Sequence, residues 1–214
     1  MKNKIDRADT VIILDFETTG LSPQAGDRAI EIGAVRIEQG RVTDRFQSLM
    51  NPGKRVPVFI ESYTGITNAL LKMAPASKVV MTEFADFIED FNLVAHNAAF
   101  DRRFLSAELQ HFQRHYHGDF ACSMLVARRL YPEAPNHKLG TLVAWHQLSD
   151  NTNFHRALAD AEMTTLLWLK MLTDLRVNYN FAEIPFTLMQ AIARTGRSRL
   201  PSFLQGKARH FAAH

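Results

Sequence analysis

The chain has 214 residues, of which 46% are hydrophobic and 22% are charged, and its formal net charge is +3. This balance supplies a sizeable core and excludes a largely disordered chain. A single cysteine excludes an intramolecular disulfide and a cysteine metal cage, and no stretch approaches the roughly 18 apolar residues of a membrane helix. Because residues 1–9 carry charges of both signs and no signal-peptide core, we expect a cytoplasmic protein with no membrane partner.

The first fifty residues predict three neighbouring strands. Apolar and β-branched runs alternate here with glycine-containing turns, which is typical of a small antiparallel sheet. The predictions, in chain order, are a strand at 11–14, a loop at 18–27, a strand at 29–38, a hairpin turn at 39–40 and a strand at 41–50.

From residue 77 onward, helices alternate with short strands. Apolar residues recur there at helical spacing, and Trp145 and Trp168 lie in such patterns and are predicted to be core. The predictions are helices at 77–91, about 99–116, 125–130, 139–147 and 155–175, with strands at 93–95 and 120–123. Three antiparallel strands followed by alternating strands and helices predict an α/β fold, a mixed sheet flanked by helices.

Two carboxylates, Asp15 and Glu17, follow the first predicted strand in the sequence DFETTG. Side chains at positions i and i+2 of a strand point to the same face. Two such carboxylates repel each other unless a cation lies between them, and carboxylate oxygens are ligands that Mg²⁺ prefers. A solvated strand end explains a bare Asp-x-Glu pair better, whereas the full hexapeptide after an apolar strand favours a metal site.

Two further motifs place an aspartate near the start of a predicted helix. Residues 96–101 read HNAAFD directly after a predicted strand, at the kind of edge where α/β folds bind ligands. Residues 155–160 read HRALAD and open the last long helix. Alone, Asp101 and Asp160 fit ordinary charges near a helix start, and His155 fits a surface residue. The joint occurrence of all three motifs favours one shared site.

Together the motifs resemble those of the DEDDh 3′–5′ exonucleases, also called the DnaQ-like or RNase T superfamily, which includes the proofreading epsilon subunit of bacterial DNA polymerase III. The family's D-x-E-T-x-G, H-N-x-x-F-D and H-x-x-x-x-D motifs match residues 15–20, 96–101 and 155–160, in the family's order. The resemblance spans about residues 10–175. It implies a ribonuclease H-like fold.

The resemblance also implies a chemistry: hydrolysis of phosphodiester bonds at the 3′ end of a nucleic acid, with single-stranded DNA favoured, to release nucleoside 5′-monophosphates. It implies two divalent cations, Mg²⁺ or Mn²⁺, as cofactors. Asp15, Glu17 and Asp160 would surround one ion, Asp15 would bridge to the second, and Asp101 would act there largely through water. His155 would be the general base, for which an ordinary histidine pKa near ~6.5 is suited.

Contacts to the 3′ end are implied for a further set of residues. The set is Thr18, Gly20, Leu21, Thr64, Gly65, Ile66, Asn97 and Phe100. Leu21 stands where the family has an apolar wedge against the last bases. Several family members have histidine where Thr64 stands, so a contact there stays open. Core packing of Phe100 and a structural role of Asn97 stay equally open.

We divide the chain into an exonuclease domain, residues 1–178, and a basic, partly helical C-terminal extension, residues 179–214. Residues 186–214 contain five basic residues and no acidic one. They suit a phosphate backbone, and equally a helix that docks on the domain or on a partner.

Two alternatives and two partner questions stay open. The chain could be an exoribonuclease that trims RNA, since the motif spacing does not report on a 2′-hydroxyl. It could also be a non-catalytic nucleic-acid or polymerase-binding module, but the hallmark would be loss of a carboxylate or of the histidine. Association with a DNA polymerase is not supported by any Gly- or Gln-rich linker, and a homodimer is suggested only by several relatives that form one.

Overall fold

The computed structural model describes residues 6–149 and 156–212, with side chains up to residue 209. The predicted general base, His155, lies outside the described residues.

A five-stranded mixed sheet forms the centre of the protein, in the order β3-β2-β1-β4-β5. The strands are β1 (Val11–Thr18), β2 (Ala29–Glu38), β3 (Arg41–Leu49), β4 (Leu93–Ala95) and β5 (Phe120–Cys122). The first three are antiparallel to one another, β4 is parallel to β1, and β5 is parallel to β4. The predicted mixed sheet is therefore confirmed.

Helices cover both faces of this sheet. In the described residues they are α1 (Val58–Thr64), α2 (Asn68–Met73), α3 (Ser77–Ile88), α4 (Ala99–His111), α5 (Ser123–Leu130), α6 (Leu139–Trp145), α7 (Ala157–Tyr179), α8 (Phe186–Arg194) and α9 (Leu200–Ala212), with 3-10 turns at Pro23–Ala25 and Arg197–Arg199. None of these helices has the length and apolarity needed to cross a membrane.

Strand β1 contributes side chains to two hydrophobic cores, one on each face of the sheet. Ile13 packs into a core with apolar side chains of α5, α7 and α8, whereas Ile12 and Leu14 pack into a second core with those of α3 and α4. Alternate residues of a strand point to opposite faces, and here both faces are buried. This explains why β1 begins with a continuous apolar run instead of an alternating pattern.

Several bounds differ from the predictions, among them the end of β1, which continues to Thr18 instead of residue 14. Three further details also differ. Helices α1 and α2 were not predicted, because several of their apolar side chains, such as Phe59 and Met73, are exposed and form no clear apolar face. Helix α4 ends at His111 instead of at about residue 116. Two residues after its end, Gln113 takes a positive φ of 57° and the chain turns. Trp168 is fully buried as predicted, but Trp145 is 42% exposed and the core prediction for it is wrong.

The residues after α7 join the core that contains Ile13. Phe186, Leu188, Met189 and Ile192 of α8 are buried in it, as is Leu204 of α9. The predicted helical content of the extension is thus seen, and its first helix packs against α5 and β5. A domain boundary at residue 178 stays a prediction.

Candidate active site

Three carboxylates converge where β1 meets the start of α7. Asp15 and Glu17 lie two residues apart on β1, and Asp160 lies in the first turn of α7. One carboxylate oxygen from each lies within 4.8 Å of the others, and all three side chains are half-buried. The predicted convergence of the first and third motifs is therefore seen, in a form that can hold a metal ion.

Gly33 of β2 lets the start of α7 approach the sheet. In the register of the two strands Gly33 lies opposite Asp15. A Cβ on this glycine would lie 2.1 Å from the backbone nitrogen of Leu158 and 2.3 Å from the carbonyl carbon of Ala157. Only a residue without a side chain fits so close an approach. The missing side chain of Gly33 thus brings Asp160 to Asp15.

Glu31, which sequence reasoning missed, anchors the same helix start. It is fully buried and lies opposite Glu17 in the sheet. Its carboxylate accepts the backbone N–H of Ala157 at 3.1 Å and the Arg156 guanidinium at 2.8 Å. Gln47 donates to it from β3 at 3.0 Å. A carboxylate that takes an unpaired N–H at a helix N-terminus is also favoured by the helix dipole.

Asp101, the carboxylate of the second motif, reaches the site from the first turn of α4. It is 2% exposed, and one of its oxygens accepts the backbone N–H of Phe16 at 3.3 Å. On the same edge of β1, the N–H of Ile12 donates to Asn92 beside β4. Because β4 is too short to reach Phe16, Asp101 supplies the acceptor that a longer strand would have supplied. Asp101 therefore contacts the backbone of Phe16, the residue between Asp15 and Glu17, at the edge of the carboxylate cluster.

The carboxylates raise one another's pKa values. Burial and then the charges of Asp101, Asp160 and Glu17 hold the pKa of Asp15 well above its usual range. Burial and then Asp160 and Glu31 raise the pKa of Glu17 to about 8, which Arg156 partly opposes. Burial raises the pKa of Asp101 to about 7, although the hydrogen bond from Phe16 acts in the opposite direction. Such a crowd of hard oxygen donors fits divalent cations, which would relieve the repulsion.

The loop after β1 is held together by its own polar groups. Gly20 packs against the Asp27 carboxylate, which a Cβ would approach to 2.5 Å. The same carboxylate accepts the Ser22 N–H, and Thr18 donates its hydroxyl to the Gly20 carbonyl at 2.6 Å. This loop presents Leu21 with 78% of its side chain exposed, as a wedge residue requires.

A buried ion pair fixes the far end of that loop. Glu108 of α4 is 1% exposed and binds the Arg28 guanidinium through both oxygens at 2.8 Å. It also accepts the backbone N–H of Ala29 at 2.9 Å. Two parallel bonds between a guanidinium and a carboxylate fix geometry as well as charge. Neither residue stood out in the sequence, because a single Arg and a distant Glu form no local pattern.

The segment Thr64 to Ile66 is built into the end of α1. Thr64 is 6% exposed, and its hydroxyl donates to the Ile60 carbonyl and accepts the Ile66 N–H. Gly65 ends the helix with a φ of 72°, and Ile66 is 2% exposed. The polar group of Thr64 is thus engaged locally. The predicted contacts of these three residues with a nucleotide stay predictions.

Asn97 and Phe100 lie in the turn that leads into α4. Asn97 is exposed and has a φ of 74°, a conformation that asparagine tolerates better than most residues. Phe100 is half-buried, with its ring centroid 4.8 Å from that of Phe104. Phe100 thus packs partly against the core, and the substrate contacts predicted for both residues stay predictions.

A cleft of about 430 Å³ opens beside the carboxylates. It is lined by Asp15, Tyr63, His96, Lys138, Leu139, Gly140, Thr141 and Asp160. Sequence reasoning missed Tyr63, since an isolated tyrosine on a short helix gives no signal. Burial and the charges of Glu17, Asp160 and Asp15 raise the pKa of Tyr63, which lines this cleft together with two of those carboxylates.

Residues 12–167 match the RNase_T family model, whose description is exonuclease. The 3′-5′ exonuclease DinG of Bacillus subtilis (strain 168) is 35% identical over 187 residues, which cover 86% of this chain and 19% of that protein. The PolC-type DNA polymerase III of the same strain is 38% identical over 168 residues, which cover 78% of this chain and 12% of that protein. The chain therefore spans less than a fifth of the length of either relative. The epsilon subunit of DNA polymerase III from Aquifex aeolicus (strain VF5) is 29% identical over 180 residues, covering 81% of this chain and 86% of that protein.

Two solved structures show the same fold. Exonuclease X in complex with 5′ overhanging duplex DNA has a TM-score of 0.67 at 24% identity, covering 86% of this chain and 99% of that one. The nuclease domain of 3′hExo, a DEDDh family member bound to rAMP, has a TM-score of 0.67 at 20% identity, covering 78% and 92%. The sheet and helices described above therefore form the ribonuclease H-like fold of the DEDDh exonucleases.

Proposed function

The chain belongs to the RNase_T exonuclease family, and on that premise we propose that it is a 3′–5′ exonuclease that depends on divalent cations. It hydrolyses the last phosphodiester bond of a strand and releases a nucleoside 5′-monophosphate. The observation that carries this proposal is the approach of Asp15, Glu17 and Asp160 to within 4.8 Å of one another beside an open cleft.

Asp15, Glu17 and Asp160 would hold the ions, and Asp101 would support them from the edge of the cluster. We propose two ions, as in the family that the motifs resemble. We propose Mg²⁺ or Mn²⁺, because all four groups offer carboxylate oxygens and no nitrogen or sulfur. When bound, a pair of such ions stabilises both the attacking and the leaving oxygen of an in-line displacement at phosphorus.

The proton balance of the reaction needs a base in this chain. A water oxygen bonds to phosphorus, the bond from phosphorus to the 3′ oxygen breaks, and the 3′ oxygen leaves with a proton. His155 takes the proton from the water in this proposal. It directly precedes Arg156, whose side chain is fixed on Glu31, and it lies five residues before Asp160.

The strand lies with its 3′ end at the carboxylates and its last bases against the exposed side chain of Leu21. The backbone around Thr18 and Gly20 faces the terminal hydroxyl, and Asn97, Phe100 and residues 64–66 border the last nucleotide. An apolar wedge and stacking surfaces tolerate any base sequence. DNA is the favoured strand, because the relatives include a PolC-type DNA polymerase III and the epsilon subunit of a DNA polymerase III.

A test of this function uses single strands labelled at either end. With Mg²⁺, 3′-labelled DNA should release labelled mononucleotide at once, whereas 5′-labelled DNA should shorten as a ladder, and EDTA should abolish both. RNA strands of the same sequence, run in parallel, should be cleaved more slowly. Mononucleotide released first from the 5′ end, or full cleavage in EDTA, would contradict the proposal, and faster cleavage of RNA would replace DNA by RNA as the substrate.

Association with a DNA polymerase, a homodimer and a cytoplasmic location stay predictions. The first is supported by the names of the epsilon and PolC relatives, which also come from bacteria.

A further inference from the structure

The cleft beside the carboxylates is lined by groups of opposite charge. Asp15 and Asp160 line it, and so does Lys138, at the start of α6. Among the described residues that line the cleft, Lys138 is the one lysine or arginine. A strand whose 3′ end reaches the carboxylates carries a phosphate on every nucleotide, and these phosphates are repelled by the carboxylates. A cation in the same cleft offsets this repulsion.

The backbone of Lys138 is fixed from three directions. Its N–H donates to the Asn136 side chain at 2.9 Å, and its carbonyl accepts the Leu142 N–H at 3.1 Å. The carbonyl of the preceding residue, His137, accepts a hydrogen bond from His96 Nε2 at 2.9 Å. The side chain itself is exposed. Lys138 therefore presents a free ammonium group from a rigid base, which lowers the entropy lost on binding.

His96 is the residue that ties Lys138 to the sheet. A carbonyl only accepts, so Nε2 carries the proton, and Nδ1 accepts from the Ser123 hydroxyl at 2.9 Å. Burial lowers the pKa of His96 to about 4, so the ring is neutral at pH 7. Both ring nitrogens are therefore occupied, one at α5 and one at the segment before α6. His96 follows β4 directly, so it links the sheet end that carries the site to the chain that carries Lys138.

We propose that Lys138 is a substrate-binding residue that holds a phosphate group of the bound strand, and that His96 is the positioning residue that fixes it. This rests on the proposed function. A contact to a phosphate oxygen reads neither base nor sugar. Lys138 therefore contributes equally to DNA and RNA, and its contribution weakens with salt.

The experiment compares hydrolysis by the full chain and its Lys138→Met, Lys138→Arg and Lys78→Met variants. Lys78 is an exposed residue of α3 that does not line the cleft, so it controls for loss of a positive charge. Single-stranded DNA and RNA of one sequence are cleaved with Mg²⁺ at several KCl concentrations. Fluorescence anisotropy of the same strands in EDTA measures binding without hydrolysis.

Lys138→Met should raise KM about tenfold at low salt for both strands, with kcat within about twofold, because one charge-assisted bond is lost. The slope of log kcat/KM against log KCl should become shallower by about 0.7, the value for one phosphate contact on a single strand. Lys138→Arg and Lys78→Met should keep both the KM and the slope of the wild type. Anisotropy should show the same loss of affinity for Lys138→Met alone.

An effect of Lys138→Met no larger than that of Lys78→Met would overturn the proposal, as would a fall in kcat at unchanged KM. If the wild-type chain releases no mononucleotide, the proposed function fails, and the anisotropy measurement still decides whether Lys138 binds the strand.

His96 is tested by a double-mutant cycle. His96→Phe removes both hydrogen bonds and should raise KM in the wild-type background but not further in the Lys138→Met background, because the two residues act as one unit. His96→Gln, whose amide can still donate to the His137 carbonyl, should restore much of the affinity. Thermal unfolding identifies any variant that fails to fold. A KM effect of His96 substitution that persists without Lys138 would overturn the positioning role.

Discussion

Asp15 is the residue on which the acidic charges of the site converge. The charges of Asp101, Asp160, Glu17 and Glu31 all raise its pKa. Asp15→Asn removes the central charge of this group, so the metal-free protein should unfold at a higher temperature than the wild type. The same variant should lose the rise in Tm on adding Mn²⁺, and nuclease activity should fall by about a hundredfold or more, since a metal ligand is lost.

The control for Asp15→Asn is Asp86→Asn, which removes a largely exposed carboxylate of α3. It should change neither the response to Mn²⁺ nor the activity. Near-normal turnover by Asp15→Asn would contradict the proposed role of Asp15 as a metal ligand.

His155 should affect catalysis without affecting binding. We expect His155→Ala to lower kcat by about 10²- to 10⁴-fold, the usual contribution of a general base. The Mn²⁺-dependent rise in Tm and the affinity for single-stranded DNA should be kept. A variant that turns over normally, or one that loses metal binding together with activity, would assign His155 a different role.

The raised pKa values make stability depend on pH. Glu17 and Asp101 have pKa values of about 8 and about 7 in the folded protein, above their ordinary values of 4.5 and 3.8. The folded, metal-free protein therefore binds protons more tightly than the unfolded chain, and this stabilisation is lost as pH rises through these folded values. Divalent cations bind the ionised carboxylates, so Mg²⁺ should raise Tm more at pH 8 than at pH 5.5. Thermal unfolding with Mg²⁺ or EDTA at the two pH values checks this, and an equal or larger rise at pH 5.5 would contradict it.

At the scale of elements, the position of α7 depends on Gly33. Gly33→Ala places a methyl group against the backbone of Leu158, which can move only with the whole helix start. The free energy of unfolding should fall by about 1–3 kcal/mol, the usual range for overpacking. Mn²⁺ affinity should also fall, because Asp160 moves with the helix. Denaturant unfolding and metal titration measure the two effects.

Gly206→Ala in α9 is the matched control, since a Cβ there meets no atom within 4 Å. It should leave metal affinity unchanged and the stability unchanged or slightly higher. Equal effects of the two substitutions on metal affinity would show that α7 does not position Asp160 through Gly33.

The elements that sequence alone predicts well are those with a strong local pattern. The strand at 29–38 and the strand at 93–95 have the predicted bounds, and the three motifs name the four carboxylates of the cluster. What sequence cannot show is pairing across the chain. Glu31 pairs with Arg156, which lies 125 residues from it in the sequence, and Glu108 pairs with Arg28 across 80 residues. Such pairs depend on the packing of whole elements, so no local spacing in the sequence predicts them.

Short or half-exposed elements escape sequence reasoning for a different reason. Helices α1 and α2 have six or seven residues and several exposed apolar side chains, among them Phe59 and Met73, so they show no clear apolar face. Tyr63 and Lys138, which line the cleft, lie at such an element and at a loop end. Trp145 has the spacing of a core residue, yet α6 ends at it and leaves its ring half outside, against Tyr131 and His146.

At the scale of the whole molecule, the C-terminal helices should unfold together with the sheet. Phe186 of α8 is fully buried, with its ring centroid 6.5 Å from that of Trp168 in α7. Phe186→Ala should lower the free energy of unfolding by about 3–5 kcal/mol. Denaturant unfolding should keep a single transition, because α8 belongs to the same core as α7.

Phe59→Ala serves as the control, because this phenylalanine of α1 is 67% exposed and its loss should change stability by less than about 0.5 kcal/mol. A separate, earlier unfolding transition that is shifted by Phe186→Ala and not by Phe59→Ala would contradict this expectation. Residues 179–214 would then unfold as a separate unit, in agreement with the predicted division of the chain.

The carboxylates of β1 and α7 should form a metal site at which a strand is cut. Anomalous diffraction from crystals of the metal-free protein soaked in Mn²⁺ and a nucleoside 5′-monophosphate locates the ions without relying on turnover. Manganese peaks should be bounded by Asp15, Glu17 and Asp160, with the phosphate of the nucleotide beside them, and should be absent from Asp15→Asn. Manganese bound only elsewhere, in a protein that still releases mononucleotides, would show that the strand is cut at another site.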